Sequence, residues 1–415
     1  MRIALFSECY SPVANGVVTS VATLRNELRA QGHKVYLFAP GTRQPGDDED
    51  IFRLPELPFP RHPYHMARPF PRLHFDFASL QADVIHCHHP FTVGRLGSDI
   101  ARKYGLPMVY TAHSLYDSMA QNAKSPIVRT MSEKAALGVV RRFCSKADYV
   151  ITPSRYTRDA LKQNGIQNRF AVIPSGVTAP VASPGARERV RESLHVAPDA
   201  PLMLFIGRLG PEKHVDILIH MTKLLADRKL PASQANFKLA LVGDGMSREE
   251  LELMGQELGI SDRLLFLGER PHAEVGDFYS AADLFTFSSP SETQGLVLVE
   301  AMLAGLPCVA ADYGGPREIV LQNETGIRVP LEPKAFASAV ERLLLNPREA
   351  RKMGQSGMKR AERYSPQNMA AAVMEVYENV VRLPRRAQKP RKPLLPRHVP
   401  TVTDGRVKTP RRRAR

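Results

Sequence analysis

Apolar residues do not recur at a single period along this chain. Short runs of four to six apolar positions alternate with longer stretches where they return every three or four residues, the pattern of buried parallel strands alternating with amphipathic helices. Arg2 to Ser7 reads as the first strand. Asn15-Gly16 opens a helix with Val17, Val21, Leu24 and Leu28 on one face, and Gly32 ends it before the strand Lys34 to Ala39. In a parallel sheet such a unit makes a right-handed crossover. Further strands are predicted at Asp83 to His86, Met108 to Ala112, Tyr149 to Thr152 and Phe170 to Ile173.

A stretch rich in Pro, Ala and Arg, Pro174 to Pro201, interrupts the pattern. Strands restart at Leu202 to Ile206, Lys238 to Val242, Leu264 to Leu267, Leu284 to Phe287 and Pro307 to Ala310. The fold class predicted is α/β, with two doubly wound, Rossmann-like parallel-sheet domains over residues 1–175 and 176–365. A helix over 366–381 is expected to pack back on the first domain. Two such sheets facing each other form a cleft at their strand ends, where a nucleotide-bearing ligand is expected. Neither half has G-x-G-x-x-G or G-x-x-x-x-G-K-[ST] after its first strand, so another way of holding phosphate is needed.

Composition changes this picture only at the C-terminus. The chain has 415 residues and a net charge of +15, but residues 382–415 hold thirteen Lys and Arg against Asp404, a net +12 that leaves +3 for the rest. Six prolines and little apolar periodicity predict a disordered basic tail. It can attract polyanions, anionic lipid included, but no specific nucleic-acid site is expected. Such binding should vanish when the tail is removed, because the body is nearly neutral. Cys9, Cys87, Cys144 and Cys308 are scattered singly, which fits a reducing cytoplasm. No run of about 18 apolar residues could span a bilayer, and the N-terminus reads as a strand rather than a secretion signal.

The candidate chemistry sits just past strand ends. Ser288 to Met302 reads as polar turn then helix, and the helix start near Gly295 offers free N–H groups and a positive dipole end suited to a diphosphate. Glu292 and Glu300 flank that spot as acceptors for sugar and ribose hydroxyls. Arg208 and Lys213, past the strand Leu202 to Ile206, can neutralise charge on a departing diphosphate. His113 follows a strand and falls at the cleft rim, with Tyr116 and Asp117 nearby. Asp48-Glu49-Asp50 invites a metal reading, but a polar acidic loop explains it better. His86-Cys87-His88-His89 holds zinc-ligand types without a second ligand pair nearby, and reads better as a strand-end loop lining the cleft. No metal or cofactor is expected.

Several separated motifs, in order, resemble the family 4 retaining glycosyltransferases of the GT-B fold over roughly residues 1–380. They are Asn15-Gly16-Val17, Asp83-Val84-Ile85-His86 before Pro90-Phe91, Tyr110-Thr111-Ala112-His113, Ile173-Pro174-Ser175-Gly176-Val177, Gly207-Arg208-Leu209 with Glu212-Lys213, Gly243-Asp244-Gly245, and Glu292 to Glu300. The resemblance implies metal-free transfer of a sugar from a nucleoside-diphosphate sugar with retention of configuration. It implies roles for Gly16 beside the donor phosphates, His113 near the donor sugar, Arg208 and Lys213 on the diphosphate, Glu292 on the sugar, and Glu300 on the ribose. Gly295, Leu296 and Val297 would offer backbone N–H groups. In that pattern both carboxylates bind substrate, which displaces a hydrolase reading of Glu292 and Glu300 as an acid and nucleophile pair.

The acceptor side is expected in the first domain. Residues 53–77 combine five aromatics with Arg53, Arg61, Arg68 and Arg72 and many prolines. They are expected to form no regular core element and to cover an apolar acceptor or meet a membrane interface. A helix over Val128 to Lys146, with Arg129, Lys134, Arg141, Arg142 and Lys146, is a second candidate for an anionic bilayer. Within the family, Asn15 to Ser20 and Ser291 to Leu296 look most like the diacylglycerol glucosyltransferase branch, since mannosyltransferases more often have Phe where Gln294 stands. The expectation is a peripheral enzyme at the inner membrane face, glucosylating a glycerolipid. The runner-up is a GDP-mannose-dependent mannosyltransferase acting on a glycolipid or soluble sugar, and a nucleotide-sugar epimerase follows.

Overall fold

The computed structural model describes residues 1–13, 15–57, 66–68, 71, 73–115 and 126–383, with the side chains of 126–133 left out. The basic tail from 384 onward, Arg61, Arg72, Tyr116 and Asp117 therefore lie outside the described residues.

Apolar runs become sheet centres. Across the first sheet the strands run Ile51–Leu54, Lys34–Pro40, Arg2–Phe6, Val84–Cys87, Met108–Thr111, Tyr149–Thr152 and Phe170–Val172, all parallel. Across the second they run Leu264–Gly268, Lys238–Val242, Leu202–Ile206, Leu284–Phe287, Cys308–Ala311 and Gly326–Val329, again all parallel. Both faces of such sheets are covered by helices, so their strands are apolar throughout rather than alternating. Strand order reverses between Arg2–Phe6 and Val84–Cys87 in the first sheet, and between Leu202–Ile206 and Leu284–Phe287 in the second. Those two switch points are where ligands of such sheets bind. The α/β class with two Rossmann-like domains is thus observed.

The last helix, Pro366–Arg382, buries Met369, Ala370, Val373, Val376, Tyr377 and Val380 in the same cluster as Ile3, Leu5, Val21 and Leu37 of the first domain. Their three-and-four spacing puts them on one face. Tyr377 also meets a strand residue on that face of the sheet, with its Oη 2.6 Å from His86 Nδ1.

One expectation is corrected. Within residues 53–77, Leu54 closes the edge strand Ile51–Leu54, Glu56–Leu57 pairs antiparallel with Met66–Ala67, and Phe77 opens a short 3-10 turn, Phe77–Leu80. Phe77 is 3% exposed, with its ring 5.9 Å from that of Phe38. Prolines bar a long ladder here, but they do not stop one aromatic ring from filling the core beneath the loop. Among the described residues no helix is long and apolar enough to cross a membrane.

Candidate active site

The segments that leave the four strands at the switch points converge on one cleft of about 1630 Å³. Glu8 and Gly16 follow Arg2–Phe6, His89 and Phe91 follow Val84–Cys87, Arg208 and Lys213 follow Leu202–Ile206, and Glu292 to Val297 follow Leu284–Phe287. Each of these positions lines the cleft.

Two helix N-termini face each other across it. The helix Gly16–Ala30 is capped by Asn15, whose Oδ1 accepts from Val18 N at 2.9 Å. Opposite, the helix Leu296–Leu303 begins at Gly295, whose φ of 90° is a conformation that side chains disfavour. That turn has no side-chain cap, so the first N–H groups of the helix have no partner within it. A Cβ on Gly16 would lie 3.4 Å from Leu296 Cδ1, which shows how closely the two termini approach.

On the second-domain side, Lys213 Nζ donates to Glu292 Oε1. Ser288 Oγ donates to the Lys213 carbonyl at 2.8 Å, and Ser291 Oγ to that of Glu212 at 3.3 Å. These bonds tie the turn after Leu284–Phe287 to the turn after Leu202–Ile206 and place both charges on one rim. Arg208 is more open: its side chain is 62% exposed and pairs with Glu212 Oε1 at 2.6 Å. Glu300 does not line the cleft. It lies buried along the helix, accepting from Tyr279 Oη at 2.9 Å, and burial raises its pKa above the usual carboxylate value. His214, after Lys213, is a non-glycine residue at φ 50°.

On the first-domain side, His113 lines the cleft but is only 8% exposed. Its Nε2 lies 2.9 Å from His88 Nδ1, and the His86 and His88 rings are 4.2 Å apart. His86 Nε2 is 2.7 Å from Thr111 Oγ1. Burial lowers the pKa of His86 to about 3 and of His89 to about 4, and carries His88 and His113 well below the ordinary histidine value. A neutral His113 can exchange hydrogen bonds with a hydroxyl without bringing a charge. Among the described residues, no group of three or more His, Cys, Asp or Glu is arranged to hold a metal. The acidic loop is ion-paired instead: Asp48 bridges Arg25 and Arg29, Asp47 pairs with Arg53, and Asp50 with Lys34.

The structure thus brings together Gly16, His113, Arg208, Lys213, Glu292, Gly295, Leu296 and Val297, and sets Glu300 just behind them. It adds residues that the motifs did not single out. Glu8 caps the helix Thr92–Tyr104, accepting from Thr92 Oγ1 at 2.6 Å and from the Val93 and Gly94 N–H groups. Its place two residues past the first strand was the available signal. Arg95 and Asp99 line the same cleft from Thr92–Tyr104, and Val139 lines it from Pro126–Cys144, beside Arg142 and Lys146 of the cationic segment already expected there.

Two facing Rossmann-like domains with a ligand cleft between them are the architecture of the GT-B fold. Over 91% of this chain and 98% of the other, the fold superposes on a sucrose-phosphate synthase from Thermosynechococcus elongatus with a TM-score of 0.72 at 24% identity. The family profile described as Glycosyltransferase Family 4 matches residues 14–179, and that described as Glycosyl transferases group 1 matches residues 186–360. The chain is 32% identical over 329 residues to an alpha-monoglucosyldiacylglycerol synthase of Streptococcus pneumoniae, covering 76% of this chain and 72% of that one. It is 30% identical over 342 residues to a GDP-mannose-dependent alpha-mannosyltransferase of Mycobacterium tuberculosis, covering 80% and 84%. The chain belongs to glycosyltransferase family 4.

Proposed function

We propose that this glycosyltransferase moves a hexose, with glucose favoured, from a nucleoside-diphosphate sugar to a membrane glycerolipid such as diacylglycerol, with retention and without a metal. One observation carries the donor half: Lys213, Arg208 and the uncapped helix start at Gly295 converge on the cleft beside Glu292. That set supplies positive charge where a diphosphate would leave. A diphosphate arriving there competes with Glu292 for Lys213, and the freed carboxylate then accepts from the sugar hydroxyls. Gly295, Leu296 and Val297 offer their N–H groups, and Gly16 lets the facing helix start come close. His113 accepts or donates at the sugar through Nδ1, since His88 holds its Nε2. Glu300, with Tyr279 on Oε2, keeps Oε1 for the ribose diol.

Ionisation of the sugar–phosphate bond gives an oxocarbenium-like centre, and the departing diphosphate oxygen takes the acceptor proton on the same face. The acceptor half of the proposal rests on Leu96, Val139 and Phe143, which give the first-domain wall an apolar strip beside the cations Arg95, Arg142 and Lys146. A lipid presented at an anionic surface matches that mixture. The similarity to an alpha-monoglucosyldiacylglycerol synthase supports it. Transfer from GDP-mannose is the second reading, favoured by the mannosyltransferase relative.

The test is nucleoside diphosphate release from UDP-glucose in EDTA, with and without vesicles of diacylglycerol and anionic lipid. Release that requires diacylglycerol is expected. Release from GDP-mannose alone, or release that needs a divalent metal, refutes the reading.

A further inference from the structure

The turn between Glu292 and Gly295 does more than present Glu292 to the cleft. Its next two residues are both spent on the first domain. Thr293 Oγ1 donates to the His113 carbonyl at 2.7 Å. Gln294, 4% exposed, makes two bonds to one residue: its Oε1 accepts from Ser175 N at 2.8 Å and its Nε2 donates to Ser175 O at 3.1 Å.

Ser175 lies on the connector between the domains. The strand Phe170–Val172 ends the first sheet, and the next helix, Ala186–Ser193, belongs to the second domain. The returning connection runs alongside: Val177 N donates to Tyr364 O at 2.8 Å, just before the last helix crosses back. Ser175 Oγ is also 2.8 Å from Ser20 Oγ on the first helix of the chain. A residue held there reports the relative position of the two domains.

We propose that Gln294 is a positioning residue that latches the donor-binding turn to the inter-domain connector, so that the donor site is complete only when the two domains are held as they are here. This rests on the donor reading given above. A carboxamide suits the task because it offers an acceptor and a donor in one plane, matching the N–H and C=O of a single residue. Glu at this position would set an oxygen against the Ser175 carbonyl. Met would leave both buried main-chain groups without partners.

The experiment compares full-length Gln294→Met, Gln294→Glu and Thr293→Val with the wild type. Hydrogen exchange is read at residues 173–177, binding of UDP and of GDP by calorimetry, and donor KM and kcat separately. Both Gln294 variants should exchange at Ser175 about tenfold faster and bind the nucleotide about tenfold more weakly, raising donor KM with little change in kcat. Thr293→Val should keep wild-type exchange at 173–177. If Gln294→Met does not fold, the near-isosteric Gln294→Glu carries the same comparison. Wild-type exchange in the Gln294 variants overturns the latch, as does faster exchange with unchanged nucleotide affinity, or equally fast exchange in Thr293→Val. A wild type that binds neither UDP nor GDP refutes the donor reading instead, and exchange at Ser175 then decides the latch alone.

Discussion

Lowering the pH from about 6.5 to about 5 should cost the first domain about 3 kcal/mol of stability through two buried histidines alone. The cause is the histidine layer beneath the cleft. His86 is held between Thr111 and Tyr377, His89 accepts from the Glu8 N–H, and burial keeps their pKa values near 3 and 4. In the unfolded chain a histidine takes up a proton below about pH 6.5. Across this window the unfolded state therefore binds protons that the folded state refuses, and stability is lost as the pH falls. The loss approaches about 1.4 kcal/mol per pH unit for each neutral histidine once the unfolded residue is fully protonated, and is about 1.6 kcal/mol each over the window. His88 and His113 act in the same direction. Glu8 and Glu300, whose pKa values burial raises, act oppositely and recover some stability as the pH falls through their folded-state values. Set against the usual range of about 5–15 kcal/mol for a folded domain, a loss of about 3 is large. Urea unfolding followed by far-ultraviolet circular dichroism across the window measures it. His89→Gln, which keeps an acceptor for the Glu8 N–H, should flatten the slope by about 1.4 kcal/mol per pH unit. A stability that does not change between about pH 6.5 and 5 would refute the reasoning.

Arg208→Ala should lower kcat by about 100-fold or more through lost charge stabilisation. Its unfolding midpoint should stay near the wild type, because an exposed pair with Glu212 contributes about 0–1 kcal/mol. Glu300→Gln should raise the donor KM about tenfold by removing a charge-assisted bond to the ribose, and an unchanged KM would remove Glu300 from the site. His214→Gly should raise stability by about 0.5–1 kcal/mol, since the backbone there already has φ of 50°; thermal unfolding of the two proteins decides it.

Much of the cleft was legible because it is local. Tyr149–Thr152, Leu202–Ile206, Lys238–Val242 and Leu284–Phe287 fall where the apolar runs place them. Each such run is buried on both faces and ends at a polar turn. Residues just past strand ends gather at the cleft, so His113, Arg208, Lys213 and Glu292 could be found by counting from strand ends, whereas Gly16 came from the family resemblance. The edge strand Ile51–Leu54 was hidden because, at a sheet edge, a short half-exposed run looks like the loop beside it. Phe77 was hidden by the prolines before it. The acidic loop read as a plain polar loop, whereas its carboxylates meet Arg25 and Arg53, and no hydrophobic period connects Asp48 with an arginine 23 residues earlier.

By itself, then, the chain's sequence determined the alternation of strands and helices, the two-sheet architecture and most of the residues that gather at the cleft, since hydrophobic period and strand-end position are local properties. Tertiary structure alone decided which way those side chains turn. Glu300 faces Tyr279, Glu8 caps the helix Thr92–Tyr104, and Gln294 holds Ser175. Glu300 and Gln294 are buried and Glu8 half-buried, and a polar group withdrawn from water takes whichever partner the packing brings within reach, however distant in the chain.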